Sequence, residues 1–125
     1  MAMKDGILHL FNTYKWYDMI ERGEKPEEYR DIEVWKRRIC RYGNAKHVGQ
    51  NKVCTAQCPF CMPMCRVAVP TDITHICFHR GYTSTTMLWK VASIAVGHGD
   101  RKLGAPKGYV FIIRLKERIK SNEMA

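Results

Sequence analysis

From Val34 to Thr71 the sequence contains neither aspartate nor glutamate, although Lys36, Arg37, Arg38, Arg41, Lys46, Lys52 and Arg66 all fall inside that stretch. The imbalance runs wider. Residues 1–33 hold eight of the twelve acids against five bases, a net −3, and the remainder holds four acids against sixteen bases, a net +12. A field of that sign attracts polyanions, and nucleic acid is the commonest of these in a cytosol; a run of this kind also serves as a solvated face that sets solubility. Also missing is any run approaching the roughly 20 apolar residues of a membrane span. "MAMKDGILHL" places an acid where a secretory signal needs an uninterrupted apolar stretch. These absences lead to the expectation of a cytoplasmic protein with no membrane partner. No internal repeat or low-complexity tract is present, and 125 residues with 46% apolar content suffice for one core of ordinary domain size and not for two. A single domain over residues 1–125 is expected.

The coarse pattern places the elements. "ILHLF" alternates as a strand. Thr13 or Asn12 can cap a helix in which Trp16, Met19 and Ile20 share one side, and Gly23 stands where a helix commonly needs a left-handed stop. "EEYRDIEV" reads as a strand with Glu28, Arg30 and Ile32 on one face and Tyr29 and Asp31 on the other, and "VWKRRIC" as a short basic helix. Three more strands follow in "THICFH", "TTMLWKVASIAVG" and "GYVFIIRL", separated by "RGYTS" and by the Gly/Pro-punctuated loop "HGDRKLGAPKG". Short strands with two helices in the N-terminal half predict an α+β domain built as a small barrel.

"GEKPEEYR", Gly23 to Arg30, sits where the first helix hands over to a strand. A helix stop followed at once by a strand aims Lys25 at the same side as Glu28 and Arg30, so three ionisable groups converge at the mouth of the sheet. Burying them is costly unless they pair, as Lys25 with Glu28 or Glu28 with Arg30; on the surface the same residues form an ion-pair ladder worth little energy.

The spacing Gly23-x-Lys25-x-x-Glu28-x-Arg30 matches GxKxxExR, the signature of ASCH domains, small β-barrels related to the PUA fold. "KWYDMIERGEKPEEYR" resembles that family's first helix and second strand, and "ICFHRGYTSTTMLWKVASIAVGHGDRKLGAP" with "YVFIIRL" is similar to the later strands of the small ASCH proteins of phage and bacterial genomes. About residues 6–120 are covered. The resemblance implies a cleft beside the signature turn that binds RNA or a modified nucleotide. There Lys25 and Arg30 would meet phosphate or base-edge acceptors, and Glu28 would orient them or accept from an exocyclic amine. Trp16, Tyr29 and Tyr82 are candidate stacking platforms, with Arg80 beside Tyr82 as a further ligand contact. Some ASCH proteins hydrolyse N4-acetylcytidine and carry a threonine where this chain has Glu28. A nucleophile needs a hydroxyl or thiol beside its base, so the departure points to binding in preference to catalysis. Thr13 or a cysteine is the remaining source of a nucleophile, and a hydrolase acting on RNA or a modified nucleoside through Lys25 and Glu28 is the alternative. A third reading is a phage accessory protein that contacts a host protein.

The other departure is a stretch from about Gly43 to Pro70, read as an insertion, that carries "CTAQCPFCMPMC". Four of the six cysteines, Cys54, Cys58, Cys61 and Cys65, are spaced C-x3-C-x2-C-x3-C. In a reducing compartment such spacing indicates a metal site before a disulfide framework. Cys58 and Cys61 have the gap of a zinc knuckle, Cys54 and Cys65 complete a tetrahedron, and His47, His75, Cys40 or Cys77 can replace one ligand. A structural zinc would supply the ordering free energy that this polar, Gly-rich segment lacks. An iron–sulfur cluster also satisfies four thiolates. The Cys54-x3-Cys58-x2-Cys61 spacing of radical-SAM enzymes is set aside, because a chain of this size cannot hold their barrel as well.

Overall fold

A computed structural model describes residues 6–40, 67–69 and 71–120. Six strands and two helices follow in the order β1 (Ile7–Asn12), α1 (Tyr14–Glu21), β2 (Glu27–Arg30), α2 (Ile32–Ile39), β3 (Val67–Ala68), β4 (His75–Arg80), β5 (Thr86–His98) and β6 (Tyr109–Ile119), with a 3-10 turn at Arg101–Leu103. All six strands belong to one curled sheet of order β1-β4-β5-β6-β2, with β3 added against β5. The β1–β4 pair is parallel and the others are antiparallel. This is a small α+β half-barrel. No helix among the described residues is long and apolar enough to cross a membrane.

Strand β5 bends the sheet. Its register with β6 shifts between Lys90 and Val91 and again between Val91 and Ser93, an irregularity that bends and twists a strand locally. Its first half can therefore pair with β4 and its second half with β3. Two apolar clusters hold the result. Leu8, Leu10, Ile76, Phe78, Phe111 and Ile113 join Tyr17 and Ile20 of α1 in the main one, and Val110 and Ile112 pack with Tyr29, Ala105 and Leu103 in a second. The run "VFII" in β6 is thus apolar throughout because successive side chains leave on opposite faces and both faces are covered.

Two sequence expectations are corrected. The strand read over "EEYRDIEV" ends at Arg30. Asp31 caps α2, its side chain accepting from Val34 N–H at 3.1 Å, so Ile32 lies in the helix and not on the Glu28 face. Thr13 occupies the cap position of α1 without a side-chain cap bond. Within the segment read as an insertion from about Gly43 to Pro70, Val67–Ala68 pair with Val96 and Ala95 of β5. Cys54, Cys58, Cys61, Cys65 and His47 lie outside the described residues.

Candidate functional site

The two ends of the strand order are β1 and β2, and they are not paired with each other. Side chains bridge the gap. The Arg30 guanidinium of β2 donates to Asn12 Oδ1 and, at 3.4 Å, to the Phe11 carbonyl, both in β1. A cavity of about 230 Å³ opens at this seam, lined by Phe11, Asn12, Thr13, Trp16, Lys25, Glu28, Tyr29, Arg30, Leu103 and Gly104.

The signature turn positions its cations through backbone geometry. Gly23 adopts φ +81°, open to glycine and rare for other residues, just past α1. Its N–H reaches Ile20 O at 3.0 Å, and the N–H groups of Glu24 and Lys25 both reach Met19 O. The chain therefore folds under the helix end and delivers Lys25 inward. Lys25 is 2% exposed and Glu28 5%, so these groups form no surface ladder. Glu28 Oε1 faces Lys25 Nζ at 3.4 Å and accepts from Tyr29 N–H, while Oε2 accepts from Arg30 at 3.0 Å. Its acceptor capacity is spent on orienting the two cations, which leaves little for an exocyclic amine. Lys25 Nζ also donates to the Leu103 carbonyl and lies 4.4 Å from the Tyr29 ring centroid and 5.2 Å from that of Trp16. Burial pulls its pKa below the usual lysine range, with Glu28 opposing.

Around this triad stand Tyr29, already a candidate, and two residues not singled out for the site, Gly104 and Asn12. The Tyr29 hydroxyl donates to Glu27 at 2.9 Å and accepts from Asp100 N–H at 3.1 Å. Burial is the main cause that pushes its pKa up to about 12. Gly104, at φ +97°, lies so close to Trp16 that an added Cβ would meet the ring at 2.9 Å. Asn12 is 6% exposed, and its Nδ2, like Arg30 Nε, is a buried donor with no partner among the described residues. A signal for Asn12 was present: Leu8, Leu10 and Asn12 alternate on the core side of β1, and a polar residue ending such a series calls for a partner.

The structure thus brings Trp16, Lys25, Glu28 and Arg30 together and does not bring Arg80 into the lining. Arg80 grips Asp18 of α1 at 2.9 and 3.0 Å and covers the Tyr14 ring at 4.0 Å; its hydrogen bonds hold the Asp18 carboxyl below its usual range. Arg80 clamps β4 to α1. Tyr82 is 95% exposed and stacks on Phe11 at 5.5 Å, outside the cavity. Comparison with family models, with curated proteins and with solved structures returned no match.

Proposed function

We propose that this chain is an ASCH-type, PUA-like binding module that takes one base of an RNA, or a modified nucleotide, into the cavity between β1 and β2. The observation that carries the reading is the pair of buried donors of the cavity-lining residues Asn12 and Arg30, Asn12 Nδ2 and Arg30 Nε, that have no partner among the described residues. Buried donors are rarely left unmade, because each costs about 1–3 kcal/mol. A ligand that offers acceptors, such as a base edge, removes that cost. The aromatic walls Trp16 and Tyr29 suit a flat ring. At about 230 Å³ the cavity falls below the roughly 300–1,000 Å³ of sites that enclose a whole small molecule, which favours a single base of a longer ligand. Arg101 and Lys102, exposed on the turn that supplies Leu103 and Gly104, are placed to meet the adjoining phosphates.

The test is binding of short single-stranded RNA and DNA at low salt to the wild type and to Asn12→Asp. That substitution keeps the acceptor used by Arg30 and replaces the donor with a charge that repels acceptors. Affinity should fall at least about fivefold, the equivalent of one lost hydrogen bond, with the fold intact. No binding of either polymer, or equal binding by the variant, removes the reading. One observation favours the hydrolase alternative: the lysine whose pKa burial lowers lines the same cavity as Thr13. Turnover of a modified nucleoside that is lost in Thr13→Val would establish it.

A further inference from the structure

A second cluster of chemically capable side chains lies on the opposite face of β1 and β4. The parallel pairing sets His9 beside Cys77 and Phe11 beside His79. Leu8, Leu10, Ile76 and Phe78 point into the core, so the residues between them project together from the outer face. His9 Nδ1 lies 2.9 Å from His79 Nε2, and Cys77 Sγ lies 3.8 Å from the same nitrogen. All three donor atoms fall within 4.8 Å of one another.

Two imidazole nitrogens and a thiol are the donor set of a late first-row divalent cation, zinc above all, and contain none of the carboxylates that magnesium or calcium requires. The distances fit. With Zn–N of about 2.0–2.1 Å and Zn–S of about 2.3 Å, tetrahedral coordination separates two nitrogens by about 3.3 Å and a nitrogen from sulfur by about 3.6 Å. The 2.9 and 3.8 Å separations need adjustments of a few tenths of an ångström, and the third pair, His9 with Cys77 Sγ, lies within 4.8 Å and closes by up to about 1.2 Å on binding. The donors also sit on paired strands and are held by their neighbours. Phe11 stacks on the His79 ring at 4.3 Å and 18°.

We propose that His9, Cys77 and His79 form a three-ligand zinc site on the outer face of the β1–β4 pair, with its fourth position open to water or to an incoming ligand. His9 is exposed and the other two are half-buried, so the ion can enter from solvent. In binding, the cation displaces the thiol proton to solvent, the ring that donates in the His9–His79 hydrogen bond moves that proton through solvent to its other nitrogen, and each ring then gives its freed lone pair to the metal. None of the three lines the cavity described above, so the site stands or falls apart from the nucleotide reading.

Cobalt(II) is the probe. It would be titrated into the metal-stripped, reduced full chain with Cys54, Cys58, Cys61 and Cys65 replaced by serine, which leaves Cys40 and Cys77 as the only thiols. One equivalent should bind with the d–d absorption of a tetrahedral ion and a thiolate charge-transfer band, and zinc should displace it. Cys77→Ser should abolish the charge-transfer band, and His9→Asn should weaken binding at least about tenfold. Absence of cobalt uptake, or a band unchanged in Cys77→Ser, overturns the site. Should the serine variant fail to fold, alkylation of the natural chain decides: zinc should protect Cys77 from iodoacetamide, and His79→Gln should remove the protection. Equal Cys77 alkylation with and without zinc overturns the proposal as well.

Discussion

Glu28 holds two cations at the sheet mouth, Lys25 almost wholly withdrawn from water and Arg30 18% exposed. Lys25 and Glu28 side chains are 2% and 7% exposed and 3.4 Å apart. Removing one partner of a buried pair strands the other charge, at a cost of about 3–5 kcal/mol. Glu28→Ala should therefore lower Tm by roughly 9–25 °C, at about 3–5 °C per kcal/mol for a domain of this size. Glu24→Ala, which breaks only the exposed pair with Arg22, should leave Tm unchanged in the same thermal melts. Equal shifts would show that the burial of the triad does not matter. Tyr29 makes a separate prediction. Its folded pKa, raised to about 12 from 10.0, means that the native state keeps a proton that the unfolded chain gives up. The sign follows: the contribution is complete below about pH 10 and is lost between about pH 10 and pH 12, a decline on the order of 2–3 kcal/mol. Urea melts across that window should show the decline in the wild type, and Tyr29→Phe should flatten its own share of it.

The elements were legible wherever one periodicity prevailed. Five of the six strands and both helices correspond to patterns in the sequence, and α1 stops at the glycine that the left-handed turn requires. "EEYRDIEV" misleads because alternation and capping compete over the same residues. Ile32, Trp35 and Ile39 keep a helical spacing, and Asp31 with Glu33 just inside makes a helix start, so the carboxylate cap overrides the period of two. Asp31→Ala should cost about 0.5–2 kcal/mol in chemical denaturation, and no effect would mean that tertiary packing alone sets the start of α2. β3 was missed because two residues carry no periodic signal. The site was legible in its charged half, since a fixed spacing after a helix stop brings Lys25, Glu28 and Arg30 together. The other half was not: Asn12, Leu103 and Gly104 come from segments far apart in sequence, joined only when the sheet curls. For the cysteine segment we retain the zinc-knuckle proposal. Its check is elemental analysis, which should give about two zinc ions per natural chain and about one after Cys58→Ser if this site and the His9–Cys77–His79 site are both filled.

At the scale of the whole molecule the proposed nucleic-acid binding would draw separately on the net charge of +9 and on the cavity. Exposed cations act on any polyanion through counterion release, with a log–log salt slope of about −0.7 per phosphate contact for a single strand, whereas contacts inside the cavity release no counterions. Arg101 and Lys102 flank the cavity wall on a 3-10 turn that Asp100 caps by accepting from Lys102 N–H at 2.9 Å, and Lys25 ties that turn to the sheet mouth through the Leu103 carbonyl. Replacing Arg101 and Lys102 together with serine should make the slope for single-stranded RNA shallower by about 1.4, two contacts' worth. Asn12→Asp should weaken binding at every salt concentration and leave the slope as it was. Anisotropy titrations at several salt concentrations separate the two effects. If the double serine variant keeps the wild-type slope, the phosphates lie elsewhere on the basic surface. If Asn12→Asp changes the slope and not the affinity at low salt, the seam between β1 and β2 receives backbone phosphate and not a base, and the orientation proposed for the ligand is reversed.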